Sequence, residues 1–325
     1  MKIFDNFKRA EKSISKDDKY NGLQTNFTGF FVMLGRKFWN ISTLNLLYVL
    51  CNFPIFFYLF TLTGKTKQEV VTVSSPMFSS LYGFMQAGFD SVSSSQVFPF
   101  VNAFVSSYVP TTLTYVLYGI SALALITFGL SNAGAAYCTR GFVRQEPIFL
   151  WSDFFYCIKK NFVQAFLMGI IDIAISVVLV WDFLFWNGRA HLSFMNGVSM
   201  YFSLFLCVLY FFMRFYIYTL LITFDLSIFK ILKNSFLMAF LGLKRNFICL
   251  LAILFVFYIN VQLFLILPSF GIMLPVIITI SLLMFISTYC SYPVVKKYMI
   301  DPFYPESDDA SYSDDADESI FEDRG

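Results

Sequence analysis

The chain of 325 residues is 58% hydrophobic and 20% aromatic but only 14% charged, against roughly 45–50% apolar and ~25% charged residues in soluble domains. That balance excludes an ordinary water-soluble core and points to an integral membrane protein. The net charge of +2 hides two opposed regions: residues 301–325 hold ten acidic side chains and Arg324, a net −9, which leaves +11 on residues 1–300.

The N-terminal stretch from Lys2 to Lys19 has no continuous apolar run, so no cleavable signal is expected and all 325 residues are expected in the mature protein. Leu23, Phe27, Phe30, Phe31, Leu34 and Phe38 then recur at helical spacing, which predicts an interfacial helix feeding the first span. Charged side chains (Asp, Glu, Lys, Arg) are missing from 38–64, 91–139 and 246–295, and the runs 162–186 and 192–224 carry only three. A span needs ~20 apolar residues. The fold class expected is therefore all-α: a polytopic transmembrane helix bundle of about six spans near 41–62, 112–136, 162–186, 197–224, 247–267 and 272–295. Residues 1–40 form a basic segment, 41–295 the membrane domain with an outer connection over 63–111, and 296–325 an acidic tail. The tail is too charged and too poor in apolar residues to fold alone.

Orientation follows from charge. With the N-terminus inside, nineteen Lys and Arg fall on the inner side and three, Lys65, Lys67 and Arg189, on the outer. The positive-inside rule then puts both termini in the cytoplasm. Each outward helix begins at a similar doorway: Arg36-Lys37-Phe38-Trp39, Lys159-Lys160-Asn161-Phe162 and Lys244-Arg245-Asn246-Phe247. Three repeated hairpins and a generic inward anchor are both consistent with it. Within the long outer connection, Met77, Phe78, Leu81, Tyr82, Met85 and Phe89 recur at helical spacing and predict an amphipathic helix, either lying on the membrane or serving as a lid. A second interfacial helix is predicted over 225–246, with Asp225 as N-cap and Ser227, Lys230, Lys233 and Asn234 as its wet face.

Chemistry is sparse. The single histidine, His191, lies beside Arg189 in a short outer loop, so no His-rich metal site and no triad with a second histidine can be built. No Gly-rich phosphate loop with its lysine occurs. The six cysteines show no metal-ligand spacing, and none is placed outside, so no disulfide framework is expected. The chain is expected to be non-enzymatic, without cofactor or metal. Its dispersed basic residues suit the anionic lipid bilayer rather than nucleic acid.

Asp172 and Arg214 are the sharp clue. Asp172 lies ten residues beyond Phe162 and Arg214 ten before Phe224, on consecutive antiparallel spans. At about 1.5 Å per residue both sit ~15 Å deep, and a charge there demands a partner. A candidate intramembrane ion pair follows, structural or on a solute path. Asp182, near Trp181 and Trp186, is expected to reach water. Asn45, Asn52, Gln164, Asn260 and Gln262 are candidate residues of a polar bundle interior, Pro54 and Pro275 candidate kinks, and Gly129 with Ala133 a candidate close-packing pair.

Three stretches carry a family resemblance: Asn45-Leu46-Leu47-Tyr48-Val49-Leu50-Cys51-Asn52-Phe53-Pro54; Arg140-Gly141-Phe142-Val143-Arg144 followed by Phe154-Phe155 and Lys160-Asn161-Phe162; and Phe224-Asp225-Leu226-Ser227 with Leu232-Lys233-Asn234-Ser235-Phe236. With their span order they resemble the YesL family of bacterial membrane proteins over most of residues 25–300. The resemblance implies a helical membrane protein of about six spans, often encoded near carbohydrate ABC-importer components in Gram-positive bacteria. It implies no reaction. An accessory or regulatory component linked to carbohydrate ABC import is the function expected, with importer subunits as partners. The alternative is a self-sufficient small-solute transporter or channel. The outer connection and the acidic tail depart from the compact family form.

Overall fold

The computed structural model describes residues 27–73 and 104–302. Leu23 of the first stripe, the helical stripe expected around Met77–Phe89, and residues 303–325 of the acidic tail 296–325 lie outside the described residues. Helix α1 (Phe27–Cys51) runs unbroken for 25 residues. The predicted interfacial stripe is thus the first turns of the same helix rather than a separate element. No residue in it breaks the i→i−4 ladder, and Phe30 anchors it inward against Phe285 and Tyr289. Phe27 and Phe31 stay exposed.

The expected span 41–62 is bent, at the kink expected at Pro54. Helix α1 stops at Cys51, and a second helix, α2 (Ile55–Leu62), leaves it at 72°. Pro54 is the cause: it has no N–H to continue the ladder, and its ring disfavours helical backbone at the residue before it.

The outer connection holds an antiparallel two-stranded ribbon that the sequence reading did not anticipate. Strand β1 (Lys67–Val73) pairs with β2 (Phe104–Pro110) in a register running from Lys67↔Pro110 to Val73↔Phe104. The run Val70-Val71-Thr72-Val73 is β-branched throughout, the composition that favours a pleated strand. The carbonyl of Thr66 accepts from both Thr111 Oγ1 and Thr114 Oγ1 at 2.6 Å, which ties the ribbon to the start of the next helix.

Helices α3 (Thr112–Ser121) and α4 (Leu123–Val143) are separated only by Ala122 and form one apolar stretch of 32 residues. Next comes the amphipathic helix α5 (Leu150–Lys160), also unanticipated. It buries Phe154 and Cys157 completely against α4 and leaves Trp151, Phe155, Lys159 and Lys160 outside. The long helices α6 (Phe162–Asn187) and α7 (Phe194–Thr223) form an antiparallel pair, with side-chain bonds joining 164 to 226, 172 to 210 and 218, and 182 to 203.

Helix α8 (Ile228–Leu241) follows, with Ser227 rather than Asp225 at its N-cap position and no side-chain capping bond. Residues 224–226 precede it in non-helical backbone, and the carbonyl of Leu226 is held by Gln164. The expected wet face holds for exposed Ser227, Lys230 and Lys233, while Phe229, Phe236 and Phe240 present an exposed apolar side. Helix α9 (Leu243–Ile266) is mostly unburied and apolar. The final membrane segment starts earlier and ends later than the expected 272–295. Helix α10 (Pro268–Leu274) passes through a π-turn (Pro275–Thr279) into α11 (Ile280–Val295) and a second π-turn (Lys296–Ile300).

Among the described residues five helical stretches are long and apolar enough to cross a membrane, and the bent pair α1 and α2 makes a sixth if it is one span. The molecule is an all-α polytopic bundle of the kind the sequence leads one to expect. Helix α4 packs against α1, α5, α6, α7 and α11 and is its centre. One buried cluster joins α4, α6, α7, α8, α9 and α11, and a second joins α1, α4, α5 and α11.

Candidate functional site

The sequence reading brings Asp172 and Arg214 together, and the structure places them in contact. Arg214 Nε lies 3.0 Å from Asp172 Oδ1. The N–H is poorly aligned, so this is an ion pair rather than a full hydrogen bond. Two further donors complete the carboxylate: Tyr210 Oη donates to Oδ1 at 2.8 Å and Tyr218 Oη to Oδ2 at 3.1 Å. Asp172 is fully buried. The Arg214 side chain keeps 35% exposure, and its guanidinium lies 5.9 Å from the Phe128 ring centroid. Tyr210, Arg214 and Tyr218 succeed one another at i, i+4 and i+8 on one face of α7, so a single helix supplies all three partners of one carboxylate on α6. Sequence reasoning missed both tyrosines. Their four-residue spacing about Arg214 was the available signal.

The other candidate polar residues divide among three places. Asn52 sits where α1 breaks: its Nδ2 donates to Tyr48 O at 3.0 Å and Ser131 Oγ at 2.6 Å, and its Oδ1 accepts from Thr127 at 3.2 Å. Tyr48, one turn earlier, donates to Asn132 Oδ1 at 3.3 Å. Asn45 clamps the π-turn. Its Nδ2 donates to the carbonyls of Pro275 and Val276 at 2.9 and 2.6 Å, and its Oδ1 accepts from the Ser281 N–H at 2.8 Å. Proline and π geometry disturb the helical ladder, and in hydrocarbon another helix must supply the partners that water cannot. Asn260 grips the same turn from α9 by accepting from Thr279 Oγ1 at 2.9 Å. Gln164 is elsewhere, donating to Leu226 O at the start of α6. Half-buried Gln262 joins none of these bonds.

Other polar residues were misplaced or missed. Asp182, expected to reach water, is half-buried and accepts from Trp186 Nε1 at 3.1 Å and from Ser203 Oγ. Asn246, read as part of a headgroup doorway, is fully buried. It accepts from Tyr216 Oη at 2.7 Å and donates to Ala239 O at 2.9 Å. Thr139 and Thr288 meet at 3.1 Å between α4 and α11.

A cavity of about 290 Å³ opens among these helices. Its wall includes Tyr48, Asn132, Thr139, Arg214, Tyr218 and Thr288, so the ion pair and the Tyr48–Asn132 bond border the same space. Ligand pockets run ~300–1,000 Å³, which puts this one at metabolite size. Thr139, Thr219 and Thr288 lie near the α4, α7 and α11 ends that meet the basic residues, and Arg214 lies deeper, near the middle of α7. Among the described residues no three His, Cys, Asp or Glu side chains gather as a metal-ligand set. Comparison with models of known families, with curated proteins and with solved structures finds no significant match to this chain.

Proposed function

We propose that this chain is a non-enzymatic carrier of a small polar solute, resident in the cytoplasmic membrane with both termini inside. The observation that carries the reading is the cavity: it reaches the middle of α7 and ends on an arginine whose charge is already balanced by buried Asp172. A bundle built only for support gains nothing from a cavity beside a buried ion pair, since lost packing and desolvated charges both destabilise. The charge asymmetry supports the orientation.

Flux tests it. Purified protein in liposomes should release a small polar solute faster than protein-free vesicles, and Ala136→Phe, which fills the cavity from α4, should abolish release while the folded fraction is kept. Equal flux through wild type and the filled variant would overturn the carrier reading.

The resemblance to YesL-like bacterial proteins, with the exposed aromatics of α5 and α8, supports a second reading: an accessory component linked to carbohydrate ABC import. Co-purification from native membranes distinguishes it, because an accessory protein brings importer subunits with it and a self-sufficient carrier does not.

A further inference from the structure

The donors and acceptors around the cavity are unevenly distributed, and the unevenness selects a ligand. Every hydroxyl on the wall already spends its proton. Tyr218 donates to Asp172, Tyr48 to Asn132, Ser287 to Met284 O at 2.8 Å, Thr288 to Met284 O at 2.9 Å, and Thr219 to Phe215 O at 3.4 Å. Thr139 donates to the carbonyls of Ala135 and Ala136 at 2.9 and 3.1 Å. What these oxygens still offer is lone pairs. The donors left to offer are those of Arg214, which approaches Asp172 through Nε at 3.0 Å; among the described residues no hydrogen bond from its terminal guanidinium nitrogens is seen. The wall also carries Phe211, Phe215 and Ile253, apolar surface for carbon.

A ligand that matches has a planar bidentate acceptor at one end and O–H donors along its length. We infer that the cavity is a site for a small hydroxy acid, its carboxylate forked on the two terminal nitrogens of Arg214 and its hydroxyls donating to the Thr and Ser oxygens. The fork–carboxylate geometry is the one arginine is shaped for. Asp172 takes the Nε side of the guanidinium, and Arg214 lines the cavity, so the terminal pair is what remains for a ligand. A phosphoryl dianion fits worse, because with Arg214 already shared with Asp172 it leaves two negative charges unbalanced where a carboxylate leaves one. This inference rests on the solute-carrier reading and names its substrate class.

The test is thermal stability of the full chain in lipid nanodiscs, titrated with glycerate, glycerol, propionate and inorganic phosphate. Glycerate should stabilise at concentrations about tenfold below the other three, since a buried donor or acceptor left unpaired by the wrong ligand costs a factor of that order. Arg214→Lys keeps a cation for Asp172 but loses the fork, and should erase the preference for glycerate over glycerol. Thr288→Val should erase the preference for glycerate over propionate without disturbing Arg214.

Glycerol matching glycerate overturns the carboxylate assignment, and propionate matching it overturns the hydroxyl assignment. Phosphate matching it means a generic anion site and overturns the class. If no titrant stabilises the wild type while Ala136→Phe still blocks flux, the hydroxy-acid inference falls and the carrier reading stands. If the flux effect is missing too, both fall.

Discussion

Asp172 has three partners and Arg214 one, and this inequality sets what each mutation does. Arg214→Gln leaves a fully buried carboxylate with two tyrosine hydroxyls and no cation, a change that in buried pairs costs ~3–5 kcal/mol. Asp172→Asn strands instead a guanidinium that borders the cavity, so the loss is expected to be smaller. The double variant should lose less than the two singles together, because it leaves neutral polar groups able to bond. Thermal unfolding of the four proteins in one detergent measures the coupling, and additive losses would show that the two side chains do not interact. The pair itself was legible because equal depth on consecutive spans admits few other partners. Its tyrosines were not: in a chain with 43 Phe and 19 Tyr, an aromatic on a helix face carries almost no information until the facing carboxylate is known.

Helices α4 and α6 cross where two glycines touch. A Cβ built on Gly169 would lie 2.5 Å from Gly129 Cα, and one built on Gly129 would lie 2.2 Å from the Ala165 carbonyl oxygen. These neighbours are backbone, so the helices themselves must separate to admit a side chain. Gly169→Val should therefore destabilise by about 1–3 kcal/mol or more through overpacking, and should loosen the contact that holds Asp172 one turn away. Gly35→Ala is the control: nothing lies within 4 Å of the added carbon, so helix propensity alone should stabilise it by up to ~1 kcal/mol. Equal thermal stability of Gly169→Val and wild type would rule out the close crossing. The sequence offered half of this contact. Gly129 with Ala133 is a visible small-residue pair on α4, but the partner surface on α6, Ala165 with Gly169, follows from which helices become neighbours. The π-turn was legible in the same partial way. Pro275 announced a disturbance and Asn45 a buried amide, yet only a fold that brings residue 45 to residues 275–281 shows that one repairs the other.

For the whole molecule, the alternation of antiparallel helices sends the Lys- and Arg-rich connections to one end of the bundle and leaves Lys65, Lys67 and Arg189 at the other. Long-range order of that kind is legible in sequence because a bilayer allows only two directions for each helix. Asn187, exposed at the end of α6, and Ser152, exposed on α5, therefore face opposite sides. A maleimide unable to cross membranes should label Asn187→Cys in intact cells and should label Ser152→Cys only after lysis, if the basic end is cytoplasmic. Three of the six native cysteines give a low background for physical reasons. Cys138, Cys157 and Cys249 are fully buried. Burial also pushes the Cys157 thiol up to about 11, so it stays protonated near neutral pH and gains reactive thiolate only as the pH nears that value. Labelling at pH 7 and again at pH 9 should leave the Cys157 contribution negligible in both. Labelling of Ser152→Cys in intact cells, with Asn187→Cys protected, would invert the molecule and move the Arg214 cavity, whose Thr139, Thr219 and Thr288 wall lies toward the basic end, from cytoplasmic to external access.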